Sequence, residues 1–181
     1  VNYFEYIVPG IIGMVLLFSG MQSSLSMVYD REMGVMRLLL TAPLPRWYLL
    51  TAKLLSGTFL SVIQAYVFLI ICVPIINLIV NFSTPIIGWL YILPATILFG
   101  MMLGALGLLI SVYIKQLENF AGTMNFVIFP MFFISSALYP LWRLKDNGAE
   151  FVWWIANINP FTYGVELVRW ASLGQVYIPG L

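Results

Sequence analysis

Residues 54–114 contain no charged side chain and read LLSGTFLSVIQAYVFLIICVPIINLIVNFSTPIIGWLYILPATILFGMMLGALGLLISVYI. As one helix these residues would extend about 90 Å, which is three times the hydrocarbon thickness of a bilayer. The chain must therefore fold back once within this run. The turn formers Asn77 and 81–85 (Asn-Phe-Ser-Thr-Pro) place the break between predicted spans at about 54–78 and 86–113.

Two further uncharged runs predict spans at about 7–28 and 119–140. Because 62% of the residues are hydrophobic and only 8% are charged, we interpret residues 1–181 as one polytopic membrane domain of the all-α class. Four transmembrane helices are joined by one long cytoplasmic loop at 29–53 and by two short loops near 81–85 and 115–118. An outer region at 141–181 is expected to hold interfacial or re-entrant helices, because its apolar run is too short to cross a bilayer.

The composition excludes several classes of function. The sequence has no histidine, so it can form neither a His-ligated metal site nor a Ser-His-Asp or Cys-His catalytic pair. Eight Lys and Arg against seven Asp and Glu leave no basic excess for binding nucleic acid. The sequence contains no G-x-x-x-x-G-K-[ST] and no G-x-G-x-x-G, so no cofactor is predicted in this chain.

The distribution of basic residues predicts the orientation in the membrane. Five basic residues fall on the side of the 29–53 loop: Arg31, Arg37, Arg46, Lys53 and Lys115. Three fall on the opposite side: Arg143, Lys145 and Arg169. The positive-inside rule therefore places the 29–53 loop in the cytoplasm.

The cytoplasmic loop contains a predicted amphipathic helix. Its apolar residues recur at spacings of three and four: Met33, Met36 and Leu40. Asp30 and Glu32 are predicted at its N-terminal end, where the helix dipole favours negative charge. Pro43 and Pro45 are predicted to end the helix. Such a helix, held between two spans, can transmit a push from a soluble partner. A loop at the membrane surface whose arginines reach lipid phosphates is the alternative that the pattern leaves open.

Three blocks of the sequence resemble the ABC transporter type-2 permeases. The first is Arg31-Glu32-x-Gly34 followed by Leu38, Leu39, Pro43, Arg46 and Lys53, which is similar to the R-E-x-G-T-x-x-x-L-L-x-T-P stretch of that family's coupling helix. The second is the run from Asn159 to Glu166 with Arg169, which resembles the N-P-x-T-Y block before the last span. The third, Tyr6 to Ile11, resembles the start of the second span. Val35 and Ala42 stand where threonine is common.

The resemblance implies a permease that exports a substrate together with a separate ATP-binding subunit, which would hold the ATP and Mg. It further implies a second permease copy, a multi-pass location in the bacterial inner membrane, and first and last spans outside this sequence. The ATPase-coupling residues would be Asp30, Arg31, Glu32, Gly34, Met36, Arg37, Leu38 and Leu39. The outer family motif would comprise Asn159, Pro160, Thr162, Tyr163 and Glu166.

Polar side chains in or beside the spans are candidates for a substrate path or gate, because hydrocarbon penalises them unless they are paired. They are Gln22, Ser23, Gln64, Asn125, Ser135, Ser136 and Tyr139. Hydrogen bonds between helices explain them equally well. The uncharged spans favour a lipid-linked, amphipathic or apolar cargo over a small ion. We also expect Gly100, Gly104 and Gly107 to serve packing within the chain, and Glu166 and Arg169 to form a surface pair.

Two other functions stay open at this point. One is a membrane scaffold without transport activity, anchoring a soluble complex through the cytoplasmic loop. The other is an intramembrane lipid-modifying transferase that uses the outer carboxylates Glu5, Glu150 or Glu166, which would have to converge on one site.

Overall fold

The computed structural model describes residues 3–41, 43, 45–80, 86–114, 116–141 and 150–173. Over these residues the chain is helical and contains no β-strand, so the predicted all-α class is confirmed. The helices are α1 (Tyr3–Glu32), α2 (Val35–Thr41), α3 (Arg46–Val80), α4 (Ile86–Tyr113), α5 (Leu117–Phe133), α6 (Glu150–Ile158) and α7 (Pro160–Leu173).

Within the described part of the chain, three helices are long and apolar enough to cross a membrane, over Tyr6–Glu32, Arg46–Ile75 and Leu90–Tyr113. They overlap the first three predicted spans. Helix α3 begins directly after Pro45, before the predicted start of its span near residue 54; a proline is tolerated at a helix start. The predicted break at 81–85 lies outside the described residues, between the end of α3 and the start of α4.

Helix α5 ends at Phe133, before the end at residue 140 that the sequence predicts for the fourth span. Its 17 residues extend about 26 Å, less than the bilayer core of about 30 Å. Beyond α5 the Ser135 hydroxyl donates to Phe132 O at 2.6 Å and accepts from Ala137 N at 3.2 Å. This side chain competes with the helical backbone pattern and turns the chain. The count of four spans therefore stays a prediction.

Helix α1 is the centre of the fold and packs against α3, α4, α5 and α7. Its apolar face is fully buried at Ile12, Leu16, Leu17 and Met21. Buried side chains of the surrounding helices complete the same core, including Leu103, Phe120, Phe161 and Val165. Removal of these apolar surfaces from contact with solvent or lipid couples the four surrounding helices to α1.

Glycines allow α4 to approach its neighbours closely. A Cβ on Gly107 would lie 3.1 Å from the Ser24 Cβ of α1, and one on Gly104 would lie 3.0 Å from Leu54 of α3. A Cβ on Gly100 would lie 3.4 Å from Thr58 Cγ2 of α3. These glycines thus pack within the chain, as predicted.

Candidate functional site

The R-E-x-G segment lies at the end of α1, which corrects the prediction for Asp30 and Glu32. They belong to the last turn of α1 and not to the start of the amphipathic helix. Helix α1 ends at Glu32, and two residues later Gly34 has a φ of 74°, the left-handed conformation that glycine adopts readily. Met33 N still donates to Tyr29 O at 2.9 Å, so the helical hydrogen-bond pattern continues one residue beyond Glu32. The signal was in the sequence: Arg31 followed by Gly34 is a typical helix C-terminus.

Arg31 joins the end of α1 to the end of α4. Its Nη1 donates to the carbonyl oxygens of Ser111 at 3.0 Å, Val112 at 3.3 Å and Ile114 at 3.5 Å. The last carbonyls of a helix have no partner within the helix, and the helix dipole makes this end attractive to a cation. The guanidinium therefore caps α4 from another helix.

Glu32 makes the complementary contact to α5. Its Oε2 accepts a hydrogen bond from the backbone N–H of Leu117, the first residue of α5, at 3.0 Å. Gln116 at the N-cap position forms no side-chain capping bond of its own. Because a helix N-terminus favours a carboxylate, Glu32 supplies the missing cap. Two consecutive residues of α1 thus bind both helix ends at the α4–α5 connection.

Asp30 attaches the same turn of α1 to α3. It forms an ion pair with Lys53, and both side chains are 20% exposed. Lys53 Nζ also donates to Ser26 Oγ at 3.2 Å. Asp30, Arg31 and Glu32 therefore bind other helices of the same chain, which leaves other residues to face a partner.

Helix α2 contains no buried residue. Leu38 is 72% exposed, and Arg37 is exposed as well, whereas Met36 and Leu39 are half-buried. Where α2 meets α3, an apolar cleft of 190 Å³ is lined by Leu39, Leu40, Pro45, Arg46, Tyr48, Leu49 and Ala52. Of the predicted coupling residues after Gly34, Arg37 and Leu38 are thus exposed, while Met36 and Leu39 are partly covered.

Three of the predicted pathway residues come together in a polar cleft between α1 and α3. The cleft has a volume of 330 Å³ and is lined by Ser19, Gln22, Ser23, Ser26, Ser56, Gly57, Leu60 and Gln64. The two helices come close at Gly57, where a Cβ would lie 2.6 Å from the Ser23 Cβ. Asn125 is instead exposed on α5, and Ser135 and Ser136 are buried in the turn after α5, where Tyr139 is 58% exposed.

The Glu166–Arg169 pair is buried, so the prediction of a surface pair is wrong. Arg169 is 0% exposed and Glu166 is 3% exposed, and the two form an ion pair on α7. Arg169 Nη2 donates to Ser136 O at 3.1 Å and to Tyr6 O at 3.3 Å. Its guanidinium lies 4.0 Å from the centroid of the Tyr6 ring, and the Tyr6 hydroxyl donates to Ser136 O at 2.5 Å. These four residues form what we name the outer cluster.

The burial follows from the side chains that share a helix face with this pair. Phe161, Val165 and Val168 are 0% exposed and pack in the same core as α1. A charged pair within such an apolar face indicates a buried site, and this spacing was the signal that sequence reasoning missed. Glu166 is therefore not available as the acid of a transferase. Glu150 is exposed at the start of α6, and the side chain of Glu5 lies outside the described residues.

The N-P-x-T-Y block starts α7 and attaches it to α5. Asn159 Oδ1 accepts from Phe161 N at 3.1 Å, which caps α7, while Asn159 Nδ2 donates to Met131 O at 2.7 Å. Pro160 occupies the first helical position, where its missing N–H costs nothing. Thr162 is buried, and Tyr163 is 46% exposed. The block thus fixes the position of α7 against the last turn of α5.

Several transport permeases are similar to this chain in sequence. The chain is 28% identical over 170 residues to ycf38 of Cyanophora paradoxa, which is named as a transport permease; the match covers 93% of the chain and 56% of that protein. It is 28% identical over 180 residues to "Probable multidrug ABC transporter permease YbhR" of Escherichia coli; this match covers 98% of the chain and 45% of that protein. It is 24% identical over 181 residues to "Inner membrane transport permease YadH" of Escherichia coli; this match covers 98% of the chain and 66% of that protein.

The chain spans about half the length of the first of these relatives. No solved structure matches it significantly. The family model of the ABC-2 type transporters matches residues 1–173, nearly the whole chain. The chain is therefore a membrane protein that belongs to the ABC-2 transporter membrane family.

Proposed function

We propose that the full-length protein is the permease subunit of an ATP-driven exporter, with ATP and Mg bound by a separate ATP-binding subunit. Proteins of this family normally pair with such a subunit, and the relatives are named as transport permeases. The proposal includes a second permease copy and a location in the bacterial inner membrane.

The ATP-binding subunit docks on α2 in this proposal. The exposed side of α2 offers Leu38 and Arg37, and no residue of α2 is buried within the permease. Exposed apolar side chains in a short helix with no buried face are typical of an interaction surface. The apolar cleft between α2 and α3 extends this surface.

Arg31 and Glu32 carry the movement onward, and their contacts are the observation on which the proposal depends most. A displacement of α2 reaches the end of α1 through the turn at Gly34. From there the guanidinium of Arg31 acts on the end of α4, and the carboxylate of Glu32 acts on the start of α5. Docking and transmission are thus assigned to different residues of one motif, which makes them separable by mutation.

The test is purification of the full-length tagged permease in mild detergent, with identification of its partner and measurement of ATP hydrolysis. We expect Leu38→Asp to reduce the amount of ATPase that co-purifies, because a charge is placed on the docking surface. Glu32→Ala should leave the ATPase bound but lower the ATP turnover of the complex. Glu118→Ala is the matched control, since Glu118 is an exposed acid in the same first turn of α5.

Two outcomes would contradict the proposal. The first is a wild-type permease that purifies alone or with a partner that hydrolyses no ATP, which would favour a scaffold. The second is a Glu32→Ala variant whose ATP turnover equals that of wild type and of Glu118→Ala. In that case the contact between Glu32 and α5 would not take part in coupling.

A further inference from the structure

The polar cleft between α1 and α3 has the chemistry of a ligand site. Hydroxyl and amide groups from both helices line it, chiefly Ser19, Gln22, Ser23, Ser56 and Gln64. Its volume of 330 Å³ falls within the range of small-molecule sites. Polar groups at membrane depth are stable only when they are paired, covered by protein or in contact with water. The polar groups that line the cleft therefore need water or a polar ligand as a hydrogen-bond partner.

Ser19 gives the second, independent indication. Its side chain is 4% exposed, and within the described residues its hydroxyl has no hydrogen-bond partner. A serine inside a helix can usually satisfy its hydroxyl on the preceding turn, as Ser24 does by donating to Met21 O at 2.5 Å. A hydroxyl that is buried and unpartnered in the wall of a cleft needs a hydrogen-bond partner that the described residues do not supply.

The charges around the cleft determine which ligand it accepts. Its lining contains no charged side chain. The nearest ionised groups in the described lining helices, Asp30 and Lys53, pair with each other, and Lys53 also donates to Ser26. A charged ligand would enter without a counter-ion, and its loss of hydration would not be offset. An uncharged group with several donors and acceptors fits this lining.

The surface beside the cleft is apolar. Leu60 lines the cleft and is 51% exposed, while Phe59 is 70% exposed and Phe18 is 37% exposed. Ser19 stands 13 residues before the end of α1, about 20 Å along the helix axis. The cleft therefore extends from the Asp30–Lys53 pair towards the middle of the span, with apolar side chains at its opening.

We propose that the α1–α3 cleft binds a neutral, hydroxyl-rich head group of the transported substrate, such as a sugar or polyol. The inference rests on the proposed transport function and adds the substrate class. An apolar body attached to that head group would lie along Leu60 and Phe59. A free sugar or polyol without an apolar body presents the same hydroxyl groups and is the other possible ligand.

The experiment measures protection of a cysteine in the cleft. The full-length permease with its ATPase is reconstituted in phosphatidylcholine vesicles, with Cys72→Ala and Ser56→Cys, and labelled with a water-soluble maleimide. The added probes are dodecyl maltoside below its solubilising concentration, free maltose, dodecyl sulfate and dodecyltrimethylammonium. Asn125→Cys, an exposed polar position on α5, is the matched control for effects outside the cleft.

We expect dodecyl maltoside, at ten times its dissociation constant, to slow labelling of Ser56→Cys about tenfold, because about nine-tenths of the sites are occupied. Labelling of Asn125→Cys should not change. Ser19→Ala and Gln64→Leu should abolish the protection, whereas Thr123→Val on α5 should retain it. Protection by maltose as well would identify a free sugar as a sufficient ligand; protection by dodecyl maltoside alone would identify a lipid-linked one.

Two results would overturn the inference. Equal protection by the charged amphiphiles would show that the cleft does not recognise the head group. Absence of labelling at Ser56→Cys without any probe would show that protein covers the cleft. Co-purification of the ATPase and its turnover are measured on the same samples, so a failure of the transport proposal is distinguishable from a failure of the cleft.

Discussion

The two ends of α1 are each held by an arginine, but in different surroundings. Near the N-terminal end, Arg169 is 0% exposed and binds a carboxylate, two carbonyl oxygens and the face of Tyr6. At the C-terminal end, Arg31 is half-buried, and among the described residues its guanidinium binds backbone carbonyls at the end of α4.

The difference concerns what each contact costs to break. Separating Arg169 from Glu166 leaves charges without partners inside the protein, which is strongly unfavourable. Releasing Arg31 returns a guanidinium and the carbonyls of a helix end to solvent, which hydrates both. We therefore expect the outer cluster to act as a fixed anchor and the inner end of α1 to move.

Arg169→Leu is the largest perturbation of this contrast. It leaves the Glu166 carboxylate buried without its cation, so we expect a loss of about 3–5 kcal/mol in the free energy of unfolding. The measurement is unfolding of the full-length permease by titration with sodium dodecyl sulfate. The double variant Glu166→Met/Arg169→Leu removes both charges and should regain most of the loss. If the single variant is as stable as wild type, the outer cluster does not act as a fixed anchor of α1.

Gly10→Ala tests the packing of the same end of α1. A Cβ on Gly10 would lie 3.2 Å from Ala137 Cα and still closer to the carbonyl oxygen of Ala137, and this backbone cannot turn aside as a side chain can. We expect a loss of about 1–3 kcal/mol, the usual cost of overpacking. Gly100→Ala is the control, because its new Cβ would meet Thr58 at an ordinary 3.4 Å. Equal effects of both changes would contradict the prediction.

Arg31→Ala should have a smaller and local effect. It removes the cap from the end of α4, and because the site is half-exposed we expect a loss of about 1–2 kcal/mol. Hydrogen exchange should rise in the last turn of α4 and stay unchanged in α7. Arg31→Lys keeps the charge but not the fork of donors, so it should restore protection only in part. A rise in α7 would mean that the two ends of α1 are not independent.

The sequence predicted the helices far better than it predicted their contacts. Uncharged runs and prolines decide where helices begin and end, and these signals are local. Helix α5 is the exception, because Ser135 ends it through bonds to the neighbouring backbone that apolar content does not reveal. The capping role of Arg31 and Glu32 depends on residues about 80 positions away, and one sequence does not show which distant segment meets which.

Part of the candidate site was nevertheless accessible to sequence reasoning. Gln22, Ser23 and Gln64 were selected because polar side chains in a span need a partner, and the fold places all three in one cleft. The buried state of Arg169 was missed since its contacts with Tyr6 and Ser136 span 163 and 33 residues. Chemistry at a position is local information, whereas burial is a property of the whole fold.

Gly34→Ala is expected to have the smallest effect of the four changes, and it tests the turn at Gly34 separately from the contacts around it. A Cβ at this position would meet nothing within 4 Å, so the effect comes only from the φ of 74°. We expect a loss of about 1 kcal/mol from left-handed strain. Asn tolerates this conformation, so Gly34→Asn should lose less, and Gly122→Ala, in open space on α5, should lose nothing. If Gly34→Ala lowers ATP turnover in the complex while Gly34→Asn does not, the backbone conformation between α1 and α2 is required for coupling. Equal turnover in both variants would mean that α2 acts on α1 without needing this turn.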